Sequence, residues 1–377
     1  MVRKNSMKKY NILFCFIIII VITILVIIMN SFIEKKYEWS AAISAPREYP
    51  VEVYTGAVGG YFFSHMGGFS NSGWGGATGD TDIKAELPER IDLTWLSYVD
   101  NKFYTIDSEL PIEKIKQLFE EGIYSKTGDE VVTEPYTYIN IGLAPKGMVV
   151  VWIAGAGIQV EVARFQAHET TIDPRVITED EKYMFRKDYS KDRLKNDFVI
   201  SKYVEEQLNK YGYPPAEVYE SYREKYLWKP KVILPEGCKI ISVYMKMCNG
   251  EKEDPYDRPI EQKQRAIPFM IEIFWTVGNG KKQQKFVSRI AFTKDIEFWN
   301  IYLQDERVDD QMPVDFYKNE IRKLFKEHID KNKSAEMVIK IDPTQTEDDS
   351  WVTDFYIKQE EKKYNLNQFC QDSGKYD

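Results

Sequence analysis

Residues 91–106 read IDLTWLSYVDNKFYTI. Residues 91–98 are rich in β-branched and aromatic side chains and form a strand. Asp100-Asn101 supplies a turn, and residues 102–106 return as a second strand. Upstream of this hairpin, residues 50–55 alternate as a strand. Downstream, PIEKIKQLFEEG at 111–122 is a helix. Ile112, Ile115, Leu118 and Phe119 share its apolar face, Pro111 starts it and Gly122 stops it. Residues 136–142 are a strand, 144–147 a turn, MVVVWIA at 148–154 a buried strand, and 159–166 extend the sheet.

This order recurs further along. Residues 238–248 are a strand, FMIEIFWTV at 269–277 is another, Gly278-Asn279-Gly280 turns the chain, and 285–292 return. A helix over 314–329 places Tyr317, Ile321, Leu324 and Phe325 together, and 335–341 and 351–358 are a last strand pair. Trp95 matches Trp275, Lys102-Phe103 matches Lys285-Phe286, Leu118-Phe119 matches Leu324-Phe325, and Trp152 matches Trp351. A chance recurrence of strand, turn, strand and helix is the competing explanation. Between the two stretches, residues 179–228 are charged, tyrosine-rich and helical in period. Ile200, Val204, Leu208 and Tyr211 form one face ended by Gly212. Pro214-Pro215 opens another face of Val218, Tyr222 and Tyr226. With strands dominant and locally connected, the fold class is α+β: mostly antiparallel sheets with a few helices, in two similar β-rich halves after one N-terminal transmembrane helix. The expected organisation is an anchor over residues 1–37, a first β-rich domain over 38–178, a helical connector over 179–228 and a second domain over 229–377, read as a degenerate copy of the first. No βαβ alternation is visible, which argues against a Rossmann-type sheet.

Residues 12–29 are an 18-residue run in which, besides Cys15, only Thr23 is polar. As a helix it covers about 27 Å, enough to cross a hydrocarbon core. Arg3, Lys4, Lys8 and Lys9 precede it, so the N-terminus is expected in the cytoplasm and the body in the periplasm or extracytoplasmic space. A cleaved signal is the rival, but Asn30, Ser31, Phe32 and Ile33 make a poor cleavage site. Cys15 lies too early in the run to be a lipid-accepting cysteine.

The chain has 377 residues, of which 43% are hydrophobic and 29% charged, the balance of a folded protein. A net charge of −8 excludes broad nucleic-acid binding. Of the four cysteines, Cys238 and Cys248 bracket one strand, so their Cα atoms stand roughly 30 Å apart and cannot pair. A bridge from one of them to Cys370 is left open, and a disulfide framework is not indicated.

Four segments carry a family resemblance: WSAAISAPREYPVEVY at 39–54, IDLTWLSYVDNKFY at 91–104, IGLAPKGMVVVWIAG at 141–155 and VEVARFQA at 160–167. Residues 39–168 resemble the bacterial envelope family known as domain of unknown function 2931. Members are often lipoproteins or exported proteins, so the resemblance implies an envelope location. It implies no catalytic residue or cofactor. This chain departs from the pattern in having an uncleaved apolar run and no lipid-accepting cysteine.

Residues 56–79, GAVGGYFFSHMGGFSNSGWGGATG, hold nine of the 21 glycines. Tyr61, Phe63, His65, Phe69 and Trp74 stand on this permissive frame and are the candidate binding residues. No phosphate-loop or dinucleotide fingerprint occurs, so the competing reading is a plain flexible loop. His65, His168 and His328 lack zinc spacing, and no nucleophile elbow is present. Trp95, Trp152, Trp275 and Trp351 are read as core. No catalytic residue, metal or cofactor is expected. The expected function is a membrane-anchored, envelope-exposed, non-catalytic binding module with a protein partner in the envelope. The alternatives are a scaffold of an envelope complex and a carboxylate-based hydrolase of envelope material.

The anchoring expectation has a direct test. After alkaline carbonate extraction, the full chain stays with the membrane pellet, and a chain lacking residues 1–34 is released. Release of both sinks the anchor.

Overall fold

The computed structural model describes residues 35–59, 61–63, 68–76, 83–127, 130–256, 258–278, 283–294, 299, 314–344 and 350–375. The apolar run at 12–29 lies outside them, and among the described residues no helix is long and apolar enough to cross a membrane. The chain is β-rich, its sheets mostly antiparallel and its helices few.

The first half begins with β1 (Tyr37–Ser44), β2 (Val51–Val58), the short β3 (Tyr61–Phe63) and β4 (Phe69–Ser70), and β5 (Ile83–Ala85). Then come β6 (Arg90–Ser97), β7 (Lys102–Glu109), α1 (Ile112–Glu121) and a hairpin of β8 (Ile123–Thr127) and β9 (Glu130–Glu134). It closes with β10 (Tyr138–Ala144), β11 (Met148–Gly155), β12 (Ile158–Gln166) and β13 (His168–Thr170). The connector holds α2 (Tyr189–Arg193), α3 (Lys202–Tyr211) and α4 (Glu217–Ser221). The second half runs β14 (Lys225–Ile233), β15 (Cys238–Met247), β16 (Lys252–Glu253), β17 (Lys263–Ala266), β18 (Pro268–Val277), β19 (Gln284–Ala291) and α5 (Val314–His328). It ends with β20 (Ala335–Ile341), β21 (Val352–Gln359), β22 (Lys362–Asn365) and β23 (Cys370–Lys375).

Strand pairing follows one scheme in both stretches. β1 lies parallel to β10, with β11 and β12 following antiparallel and β5 on the far side of β1. Likewise β14 lies parallel to β20, with β21 and β22 following and β17 on the far side of β14. The order β2-β6-β7-β13 is matched by β15-β18-β19-β23. Trp95 faces Tyr104 across its hairpin with ring centroids 5.9 Å apart, and Trp275 faces Phe286 at 4.8 Å. That register aligns Phe286 with Tyr104, so the match of Lys102-Phe103 to Lys285-Phe286 is out by one residue. Trp351 precedes β21 while Trp152 lies within β11, so those two do not correspond in register either.

The two stretches share one sheet. β16 pairs with β12 through Gln159 and with β15 through Met245 and Lys246, which joins a ten-stranded sheet across the chain. β11 is central to the packing. Val149, Val151 and Ile153 enter a core with Trp39, Ile43, Val53, Leu93, Trp95 and α1, while Val150 and Trp152 enter a second core with Trp228, Trp275, Phe325 and Met337. A strand buried on both faces explains the unbroken apolar run MVVVWIA.

The connector is held on the outer face of β2 and β6 by a buried carboxylate. Glu52 accepts hydrogen bonds from the hydroxyls of Tyr98 (2.5 Å), Tyr189 (2.7 Å) and Tyr183 (3.0 Å). Ser201 caps α3 by accepting from the Val204 N–H, and Gly212 ends it, as the sequence indicates. The second connector helix stops at Ser221, however, and Tyr226 and Trp228 lie on β14. A four-residue spacing fits a strand of period two as well as a helix, which is why Tyr226 passes for a helical position. No disulfide joins the three described cysteines. Cys370 pairs with Ala291, Ala291 with Met270 and Met270 with Lys246. Three strand spacings, about 14 Å, separate Cys370 from β15, so no bridge forms there.

Because Trp152 is fully buried where the two stretches meet, Trp152→Ala is expected to cost about 3–5 kcal/mol in denaturant unfolding. A loss below about 1 kcal/mol contradicts this packing.

Candidate functional site

Within the glycine-rich stretch, residues 73–75 form a joint in the interior. Gly75 has φ +84° and packs directly on Gly250, whose φ is +88°. A Cβ on Gly75 would stand 2.6 Å from the Gly250 Cα, which excludes any larger residue. The Gln159 side chain lies beside this contact. Its Nε2 donates to the Gly75 carbonyl at 2.9 Å and the Gly250 carbonyl at 2.6 Å, and its Oε1 accepts from Asn140 Nδ2 at 3.2 Å.

Of the five residues singled out from the sequence, the two whose side chains are described, Phe69 and Trp74, pack against other rings. Trp74 is 7% exposed and packs edge-on against Trp152 at 4.9 Å and Tyr219 at 5.3 Å, so it belongs to the core. Phe69 is half-buried between Tyr98 and Phe198, under the Arg193 guanidinium. Tyr61 and Phe63 lie on β3, paired to β2 at Val58 and Gly56. His65 lies outside the described residues. At Gly75 glycine serves close backbone approach.

Beside the joint, a cleft of about 800 Å³ opens between the two stretches. The end of α1, the β8–β9 hairpin and β12 form one wall. β16, the turn at Asp254-Pro255 and β17 form the other. The Arg258 guanidinium lies over the Tyr124 ring, 3.9 Å from its centroid, and Tyr256 meets that ring edge-on at 6.1 Å. Ser125 Oγ is 3.3 Å from the Tyr256 hydroxyl. Tyr256 adopts a left-handed φ of 52°, unusual for a non-glycine residue. The turn is fixed by Asp254, whose Oδ1 accepts from Ser242 Oγ at 2.6 Å and from the Tyr256 N–H at 2.9 Å. Burial pushes the Asp254 carboxyl above the usual range, against the opposing pull of those two bonds and of Arg258.

Several charges along the cleft and behind it are paired within the protein. Glu253 meets Lys263 at 3.1 Å and Arg265 at 3.0 Å, and Arg265 is only 3% exposed. Glu251 meets Lys225 at 2.9 Å. Next to it, Glu161 accepts from Arg223 Nε at 2.8 Å. Burial raises the Glu161 carboxyl while Arg223 opposes the shift. Tyr124, Asp254, Tyr256 and Arg258 escape sequence reading because they come from segments about 130 residues apart. The local sign was the Asp-Pro-Tyr turn sequence at 254–256.

A family model described as a protein of unknown function, DUF2931, matches residues 25–215, just over half of the chain. The chain belongs to the DUF2931 family. The match takes in the first half and the connector through α3, including Glu52 and the three tyrosines on it, so in this DUF2931 protein the connector is part of the family unit. No curated protein and no solved structure matches the chain.

Asp254 gives a pH test. An acid whose pKa is raised on folding adds stability below its ordinary value of 3.8, and that contribution is lost as pH rises through the folded value. Asn keeps the turn's acceptor without the charge. Asp254→Asn is therefore expected to gain stability relative to the parent as pH rises from below 3.8, in urea unfolding across a pH series. Parallel pH profiles for the two proteins contradict the shift.

Proposed function

We propose that this protein is a membrane-anchored, envelope-exposed binding module without catalysis, built from two copies of one β-rich unit, and that it holds an envelope component in the cleft between them. The observation that carries this reading is the mouth of the cleft. A planar cation, Arg258, rests on Tyr124, and Tyr256 is kept in a strained backbone conformation beside it. Strain of this kind costs about 1–3 kcal/mol and persists only where the surroundings enforce it, commonly at ligand-contacting positions. Clefts between units are also favoured places for ligands. The repeated pairing scheme supports the two-copy reading. The 12–29 run and its basic flank support the anchor.

Native mass spectrometry of the full chain drawn from membranes tests the cleft. A co-purifying species is expected with the parent and with Phe69→Ala, and is expected to be lost from the double variant Tyr124→Ala/Arg258→Ala. Retention of the same species by the double variant moves the binding site elsewhere.

A further inference from the structure

The chain enters the body on the rim where the cleft opens. Across that rim Ser40 pairs with Tyr138, Tyr138 with Ala154, Ala154 with Gln159, and Gln159 with Lys252. Ile158, Gln159 and Lys252 line the cleft. Tyr37, at the first turn into β1, packs its ring on Phe119 at 5.5 Å and donates its hydroxyl to Glu120 at 3.2 Å, while Lys35 lies 3.8 Å from Glu120. The next residues of the same helix end, Glu121 and Gly122, line the cleft. From β1 to β12 is three strand spacings, about 14 Å. Six Cα steps separate Met29, the last residue of the apolar run, from Lys35, and they reach at most about 20 Å. A body tethered this closely and pinned at this rim turns the cleft toward the bilayer.

The cleft lining carries as many carboxylates as cations, five of each. Glu251 and Glu253 are engaged by Lys225, Lys263 and Arg265. At the mouth, Arg258 spends its Nε on the Pro255 carbonyl at 3.3 Å, and its terminal nitrogens form a two-donor edge suited to a phosphate. Asp254 and Glu261 stand on the same wall as carboxylate acceptors. A balanced lining favours a zwitterion over a net anion. Carboxylates favour a primary ammonium, which donates hydrogen bonds to them, over a quaternary one, which seeks aromatic faces.

We propose that the cleft faces the membrane surface and takes a phosphate–ammonium group of the phosphoethanolamine type, with the phosphate on Arg258 and the ammonium toward Asp254 and Glu261. This rests on the membrane-anchored binding reading. The same chemistry is offered by a phospholipid headgroup and by free phosphoethanolamine, and the facing of the cleft selects the headgroup.

The test uses the full chain in nanodiscs of phosphatidylcholine, with or without phosphatidylethanolamine. A photo-crosslinking residue replaces Thr133 on the cleft wall or Gln166 on the opposite rim. The site at 133 is expected to label phosphatidylethanolamine in preference to phosphatidylcholine, and the site at 166 to label neither. Arg258→Gln is expected to lower the yield at 133 by at least about tenfold, the loss of the two-donor, charge-assisted contact. Arg258→Lys, which keeps the charge and loses the planar edge, is expected to fall between, and circular dichroism confirms that both variants fold. Equal labelling from both rims overturns the membrane-facing cleft. Equal labelling of the two lipids, unaffected by Arg258→Gln, overturns headgroup recognition. Displacement by free phosphoethanolamine with no lipid labelled assigns the site to the soluble compound and overturns the headgroup. Crosslinks at 133 to protein alone leave the binding reading standing and overturn this ligand. Departure of the chain from the nanodiscs shows instead that the anchoring reading has failed.

Discussion

The buried amide of Gln159 sets the relation between the two stretches of the chain. β16 is only two residues long, and its single pairing with β12 is at this residue. One residue pair does not hold a ten-stranded sheet together. The side chain supplies the rest by bridging the carbonyls of Gly75 and Gly250 while Asn140 occupies its oxygen. Buried carbonyls must find donors, and an apolar residue at 159 would take the donor from the Gly250 carbonyl, at about 1–3 kcal/mol, and leave the Gly75 carbonyl only Asn140 Nδ2 at 3.5 Å. Trp152 completes the joint, its Nε1 donating to the Asn249 carbonyl at 3.2 Å and its ring closing over Gly142 and Gly250. With the joint fixed, the separation of β12 from β17 is fixed too, and that separation is the cleft.

The connector solves a second burial problem. Its helices cover Tyr54, Leu96 and Tyr98 on the outer face of the first half. That face also holds Glu52, 5% exposed. An unpaired carboxylate there would be costly. Three tyrosine hydroxyls, two of them brought by the connector, share the charge, and Arg193 donates to the Tyr98 hydroxyl at 3.1 Å. Burial and the neighbouring Glu52 push the Tyr98 and Tyr189 hydroxyls far above their ordinary range, so they act as fixed donors. The acid selects the correct docking, since sliding the connector would leave it without donors.

Much of the body was legible where one period dominates. The hairpin at 91–106, the helix after it and α3 all carry an unambiguous repeat with proper ends. β1 is hard to read as a strand because WSAAIS is buried throughout and shows no alternation. The β8–β9 hairpin gives no clear signal because its residues are mixed and largely polar. β14 resembles the end of a helix because its buried Tyr226 keeps a four-residue spacing from Tyr222. The glycine-aromatic stretch is ambiguous for a different reason. A glycine-aromatic stretch carries the same composition whether it serves a loose surface or a tight backbone contact, and only the presence of Gly250 opposite Gly75 decides between them. The Arg258–Tyr124 stack depends wholly on the tertiary fold.

The central claim is that the stretch around Gly75 is a structural joint, and native-state hydrogen exchange tests it most directly. The Gly73 N–H donates to the Ala45 carbonyl and the Gly75 N–H to Ser44 Oγ, both at 2.9 Å inside the protein. These amides are predicted to exchange only with the opening that releases β11. Exchange at the rate of an exposed loop, with β11 still protected, would contradict the joint and return this stretch to the surface.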